Sequence, residues 1–284
     1  MSLVRTARVV IAAIGISMLG LACGLAQTPM VKAGGAEQLS PHVYVIADGN
    51  VGGVPNVGII VGQTSTLVID TGLGPRNGEI VLAEARRVSR VPVRYLVTTH
   101  VHPEHDLGAQ AFPADTQMIR SRDEIAEIAE FGQTTADVFR GRSAAMKQLL
   151  EGAEFRPADV TFESDYTLDL GGVRVRLLAM GPNHTPGDTA VWIEQDGVLF
   201  AGDIAMKALP AFASPKSSLA HWFTSLDRLA ALNPRVIVPS HGPIGDSAYL
   251  SAYREFMTTV RSRTEALKAS GQSLEQVTQT WAVS

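Results

Sequence analysis

From residue 43 onward, short β-branched runs alternate with longer stretches of helical spacing. Val43 to Ile46, Gly58 to Val61 and Thr66 to Ile69 are apolar runs of strand length with Gly-containing turns around them, which predicts three strands. Asn77 to Val88 predicts a helix. Val93 to Thr98 predicts a strand that runs straight into a histidine-rich loop. Ser121 to Leu150 has helical composition, with Ile125, Ile128, Phe131, Val138 and Met146 as its expected apolar contacts. Val160 to Leu170, Val173 to Leu178, Ala190 to Ile193 and Val198 to Phe200 read as further strands. Ser217 to Leu232 predicts a helix stopped by Asn233-Pro234. Val236 to Val238 reads as a strand, and Asp246 is expected to open a last helix. That helix keeps Leu250, Tyr253, Phe256, Met257, Val260 and Leu267 at helical spacing. The tail from Gln272 is polar and expected to be loosely held. Strand-rich blocks, each followed by helices, predict an α/β (α+β) molecule with two sheets and helices outside.

The first 26 residues depart from this alternation. Arg5 and Arg8 precede an uncharged apolar or small-residue stretch, Val9 to Leu25, and Gly24 and Ala26 place small residues before Gln27. The pattern predicts a signal peptide over residues 1–26, cleaved after Ala26, and a single domain over residues 27–284. A membrane anchor is the competing reading, because the stretch approaches spanning length. The small residues and the cleavage site favour the signal, so no stable membrane insertion is expected after cleavage. Lipidation at Cys23 is disfavoured by Gly20, which stands where an aliphatic residue is usual. Cys23 is the only cysteine, so a chain matured at Ala26 has neither disulfides nor cysteine catalysis. The expected location is outside the cytoplasm, in a bacterial periplasm.

Composition narrows the class further. The 284 residues are 45% hydrophobic and 18% charged, enough for a core and incompatible with intrinsic disorder. A net charge of −4 lacks the basic excess of a nucleic-acid binder. A small-molecule substrate is the expected partner. The oligomeric state is not readable from one chain.

The chemistry concentrates in a few short segments. Thr99-His100-Val-His102-Pro-Glu104-His105-Asp106 is an H-x-H-x-E-H array just after a strand. Imidazoles two residues apart can share a metal, and the carboxylate and third imidazole that follow can serve a second; borderline metals such as Zn²⁺ accept this donor set. His184 sits in a Gly/Pro-rich loop that runs on to Asp188, Asp203 follows an apolar strand, and His241 follows another. Each alone is weak, because a loop histidine is usually solvated and an aspartate after a strand is usually a turn former. Together they put five of the seven histidines at strand ends, where loops can converge. Asp106 is either a rival ligand or an outer-shell or surface residue.

These segments resemble the metallo-β-lactamase-fold hydrolases. The matching motifs are Thr99-His100-Val-His102-Pro-Glu104-His105, Gly181-Pro-Asn-His184-Thr-Pro-Gly-Asp188, Gly202-Asp203, Pro239-Ser-His241-Gly242 and Ile69-Asp70-Thr71-Gly72. The resemblance implies an αββα sandwich, two mixed sheets packed face to face with helices outside and the site at one sheet edge. It implies a first metal at His100, His102 and His184, a second at Glu104, His105 and His241, and Asp203 bridging both. The implied cofactors are two divalent ions, with Zn²⁺ the expected metal. The implied activity is hydrolysis of a small ester, thioester, lactone or lactam by a hydroxide held between the ions. Glu104 and Asp203 are then the catalytic carboxylates. Asp203 resembles the glyoxalase II and lactonase branches, where many true β-lactamases carry Cys or Ser. The stretch from Gly202 to Pro243 also resembles exported hydrolases linked to sulfur oxidation and quinoprotein systems. A β-lactamase and a non-catalytic metal-binding accessory protein of a periplasmic redox system are the alternatives.

One departure matters. The family aspartate is here Glu104, whose added methylene moves the carboxylate by about one bond length and could weaken the second site. Outside the ligands, Asp70 is a candidate to orient an imidazole and Asp188 a weaker one. Lys207 is a candidate to bind a substrate carboxylate. Asn50 to Pro55 reads as a flap or a plain turn, and Phe131, Phe139 and Met146 as a roof or as core.

Overall fold

The computed structural model describes residues 27–206 and 212–280. The expected signal peptide, Cys23 and Lys207 lie outside them. Among the described residues, thirteen strands form two mixed sheets. The first runs in the order β1 (Ala36–Gln38), β2 (Val43–Ile46), β3 (Val57–Val61), β4 (Thr66–Ile69), β5 (Val93–Val97), β6 (Gln117–Ser121) and β7 (Val160–Phe162). Its β1 to β4 are antiparallel and its β4 to β7 parallel. The second runs from β8 (Asp165–Asp169) through β9 (Arg174–Ala179), β10 (Thr189–Ile193), β11 (Val198–Gly202) and β12 (Val236–Pro239) to β13 (Gly245–Asp246). There only β11 and β12 are parallel.

The central strands β3, β4, β10 and β11 are buried almost throughout because both faces of each sheet are covered there. In β4, Leu67 and Ile69 point between the sheets while Val68 points outward, the period of two that a strand imposes. Between the sheets, Ile60, Leu67, Ile69 and Val97 meet Leu177, Val191, Phe200 and Val238. The approach is close: a Cβ on Gly58 would stand 2.6 Å from the Phe200 ring. Outside the first sheet lies α1 (Pro75–Val88), packing Val81, Leu82 and Ala85 on Ile59, Val68 and Leu96. Outside the second lie α6 (Leu219–Ala230) and α7 (Ala248–Ala269), packing Trp222, Leu226, Leu229 and Met257 on Trp192, Leu199 and Ile237. Each such side chain contributes about 1.5–3 kcal/mol by leaving water. This is the αββα sandwich expected from the resemblance.

Three expectations are corrected, and the tail holds an element that was not expected. Val160 to Leu170 is not one run: β7 and β8 belong to different sheets, and the chain crosses between layers at Glu163 and Ser164. The Ser121 to Leu150 stretch is helical, as its composition implies, and comprises α3 (Arg122–Glu127), a π-helical turn (Ile128–Gly132), α4 (Gln133–Arg142) and α5 (Ala144–Leu149), but not all of its expected apolar contacts are made. Its inward positions include Glu124 and Glu127, while Val138 is 55% exposed. Asp246 lies in β13, and its carboxylate caps the chain at Ala248 instead of opening the helix. The tail contains a further helix, α8 (Leu274–Thr280). Three strands, β1, β6 and β13, carry too little apolar contrast to be read from the sequence.

Candidate metal centre

The site stands where strands of both sheets end. Asp70 follows β4, His100 and His102 follow β5, and Glu104 and His105 ride on the short α2 (Pro103–Asp106). His184 lies in the β9–β10 loop, Asp203 follows β11, and His241 follows β12. Two compact donor groups result: His100, His102, His184 and Asp203 in one, and Glu104, His105 and His241 in the other, with donor atoms in each within 4.8 Å of one another. Asp203 stands between them. Its Oδ2 is 3.3 Å from His184 Nε2 and 3.9 Å from His100 Nε2, and its Oδ1 is 3.9 Å from His241 Nε2.

These residues fit a pair of divalent cations. His100 Nε2, His105 Nε2, Glu104 Oε2 and Asp203 Oδ1 are buried with no hydrogen-bond partner. Buried polar atoms are ordinarily paired, and leaving one unpaired costs about 1–3 kcal/mol. Four unpaired donor atoms facing one space are the chemistry of a ligand set. Electrostatics agree. Burial, then the surrounding imidazoles, keeps His100 neutral, well below the usual histidine range. Burial and His184 do the same for His102. A neutral imidazole keeps the lone pair that a metal needs. Burial also raises the Glu104 carboxyl, whereas the histidines around Asp203 overcome its burial and hold it ionised.

Backbone and side-chain anchors aim the donors. His105 Nδ1 donates to Asp70 Oδ2 at 2.9 Å, which turns Nε2 toward the centre. Burial disfavours charge on His105, but Asp70 first, then Asp203 and Glu104, push it up to about 9. Asp70 is itself held by the Thr99 backbone N–H at 2.7 Å and the Thr99 hydroxyl at 3.0 Å. His241 Nδ1 donates to the Val54 carbonyl at 3.1 Å. Asp188 acts on the loop around His184. It accepts from the His184 and Thr185 backbone N–H groups and the Thr185 hydroxyl, and so shapes the His184 loop.

Asp106 is neither exposed nor free to ligate. Fully buried, it receives both Nη groups of Arg120, which also donates to Glu124 Oε1 at 2.6 Å and to the Thr98 hydroxyl at 2.9 Å. Asn56 was not legible as a site residue. Its side chain donates to the Pro239 and Gly242 carbonyls at 2.8 and 2.9 Å, stapling the His241 loop to the segment after β2. Only the clustering of Asn, Gly and Pro near residue 55 hinted at a shaped turn. Phe139 lies 5.6 Å from the His102 ring, so the α4 segment does wall the centre. The two other histidines serve elsewhere: His42 bonds Asp196, and His221 bonds the Met180 carbonyl. An open cleft of about 510 Å³ reaches the second donor group, lined by Asn50, Val51, Gly53, Glu104, His241 and Pro243.

The comparisons agree with this geometry. The family model described as metallo-beta-lactamase superfamily matches residues 50–241. A linear primary-alkylsulfatase of Pseudomonas sp. is 26% identical over 208 residues, covering 62% of this chain and 39% of that protein. An atrochrysone carboxyl ACP thioesterase of Aspergillus terreus is 23% identical over 218 residues, covering 75% and 58%. The chain thus spans well under two thirds of these relatives' lengths. Among solved structures, a metallo-beta-lactamase from Pontibacter korlensis superposes with a TM-score of 0.62 at 24% identity, covering 78% of this chain and 98% of that one. At that identity the likeness shows the fold alone. The matched span runs from the loop over the cleft to His241 and so contains every donor of the two groups; the chain belongs to the metallo-beta-lactamase superfamily.

Proposed function

We propose that this chain is an exported dimetal hydrolase of a small acyl substrate: an ester, thioester or lactone. One observation carries the reading. Seven donors from both sheets meet in two groups, and the carboxylate of Glu104 reaches His105 and His241 despite its different length. His100, His102, His184 and Asp203 would hold one ion, and Glu104, His105 and His241 the other, with zinc as the metal proposed. When bound, such a pair supplies Lewis acidity toward a carbonyl and a nucleophile at neutral pH.

The protein's own groups do the rest. Asp70 keeps the His105 Nδ1 proton on the far side, so Nε2 remains a donor. Glu104 lines the open cleft and has an unpaired oxygen, so it orients the attacking water and takes up its proton. Phe139, buried against His102, excludes water from that side. Thioester and sulfate-ester cleavage by the named relatives supports an ester-type substrate. The place of Glu104 beside His105 and His241 favours turnover over a purely accessory role. Export rests on the pattern of residues 1–26; among the described residues, no helix is long and apolar enough to cross a membrane.

The test is metal content per chain, followed by a hydrolysis screen over esters, thioesters, lactones, alkyl sulfates and nitrocefin. Two ions and turnover of an acyl substrate are expected. Two ions with no turnover of any class would overturn the hydrolase reading, and turnover confined to nitrocefin would make the chain a β-lactamase.

A further inference from the structure

Arg142 ends α4 on the His102 side of the centre. Its guanidinium carbon lies 3.5 Å from the centroid of the Phe139 ring. That ring is only 2% exposed, and it lies 5.6 Å from the His102 ring. A cation, an aromatic ring and a donor imidazole therefore follow one another from solvent to centre, the two rings tilted by 44°. The positive charge of Arg142 is among those felt at His102.

Its neighbour Arg140 has a different task. Arg140 pairs with Asp137 at 2.8 Å and donates to the Ala153 carbonyl at 3.0 Å, which ties α4 to the segment after α5. Arg142 is exposed, and among the described residues no carboxylate pairs with it. A favourable interaction with the helix C-terminus accounts for a basic residue here. It does not account for a guanidinium laid over the ring that walls the centre.

The surroundings are apolar. Val51, 44% exposed, lines the cleft. Phe212, 51% exposed, directly precedes Ala213, whose N–H bonds the His184 carbonyl at 3.0 Å. Val138 precedes Phe139 on α4. Exposed apolar side chains on a cleft wall and beside a donor loop can receive the apolar part of a ligand. An apolar rim with one unpaired guanidinium fits an amphiphile with an anionic end.

We propose that Arg142 is the anion-recognition residue of the site, and that the substrate class is an acyl compound whose apolar body ends in a carboxylate set apart from the scissile bond. The planar guanidinium matches a carboxylate through two parallel hydrogen bonds. Its seat on Phe139 holds it in place before the substrate arrives. The inference rests on the acyl-hydrolase reading for the reaction, but it can be tested without turnover.

Zinc-loaded protein is titrated calorimetrically with glutarate and with monomethyl glutarate. Both carry a carboxylate that can reach the donor groups, and only glutarate carries a second one. Wild type is expected to bind glutarate about ten-fold more tightly. Arg142→Met keeps an apolar stem over Phe139 and is expected to abolish the difference, and Arg142→Lys to recover part of it. No preference in wild type, or a preference that survives in Arg142→Met, overturns the proposal. In a second arm, hydrolysis of a glutaryl thioester is compared with that of a butyryl thioester. A preference for glutaryl that Arg142→Met reduces is expected. Arg142-dependent glutarate binding with no hydrolysis of either thioester would uphold the anion site and sink the hydrolase reading. Hydrolysis of both at equal rates, insensitive to Arg142→Met, would do the reverse.

Discussion

Glu104 shows how a single residue departs from a pattern while its place in space is kept. One methylene longer than the family aspartate, it still joins His105 and His241 within 4.8 Å, because α2 begins at Pro103 and turns both residues toward the same space. Glu104→Gln is expected to lower metal content from two ions toward one. It should cut hydrolysis more than about 100-fold, since even partners one step removed from a metal cost 10–100-fold; metal analysis and rate measurement check both. Asp70 is such a partner. Asp70→Asn should weaken metal affinity about 10–100-fold, read by competition with a coloured chelator, while circular dichroism stays that of wild type. The donors were legible as a set, because histidines and carboxylates repeated at strand ends in that order have few other uses. The role of Asp106 was not, because its partner Arg120 lies on β6 and only the fold brings the pair together.

At the scale of elements, α3 is the brace that the hydrophobic pattern misreads. Helical spacing nominates Ile125 and Ile128 as its core contacts, yet Glu124 and Glu127 are the more deeply buried. The reason is the company they keep. Glu124 meets Arg120 and Thr98 beneath the H-x-H-x-E-H loop, and Glu127 accepts from the Gly187 N–H at 3.0 Å in the His184 loop. Gly187 has no room for a side chain, because a Cβ there would run into the Glu124 backbone. Removing the one cation, as in Arg120→Leu, leaves Asp106 and Glu124 buried without compensation. A loss of about 3–5 kcal/mol is expected from urea unfolding. Glu127 gives a pH signature. Burial, with Asp188 nearby, pushes its carboxyl up to about 7 from the usual 4.5. A raised pKa in the folded state means that its contribution is fully present below pH 4.5 and is lost as pH rises through about 7. In metal-free protein, Glu127→Gln should therefore become relatively more stable than wild type between pH 5 and 8. A difference in Tm that stays flat over that range would contradict the assignment.

Across the whole molecule, the two donor groups join the sheets, because Glu104 and His105 follow strands of the first while His184, Asp203 and His241 follow strands of the second. Bound ions should act as a clamp on the sandwich. Stripping them with chelator is expected to lower Tm by about 5–15 °C, as mass action predicts for a ligand well above its Kd. Scanning calorimetry before and after zinc is restored checks this. The sequence by itself determined the local and repeating features: strands with both faces covered, the amphipathic α1, α6 and α7, and the donors at strand ends. Alternation and residue chemistry are written along the chain, and neither needs a distant partner to be recognised. Tertiary structure alone decided which strands share a sheet, that residues 160–170 pass from one layer to the other, and that the acids of α3 face inward. It also decided that Asn56 staples the His241 loop and that α4 sets Phe139, with Arg142 over it, beside His102. Those outcomes depend on pairings between residues far apart in sequence, whose energies arise only when burial removes water from both partners at once.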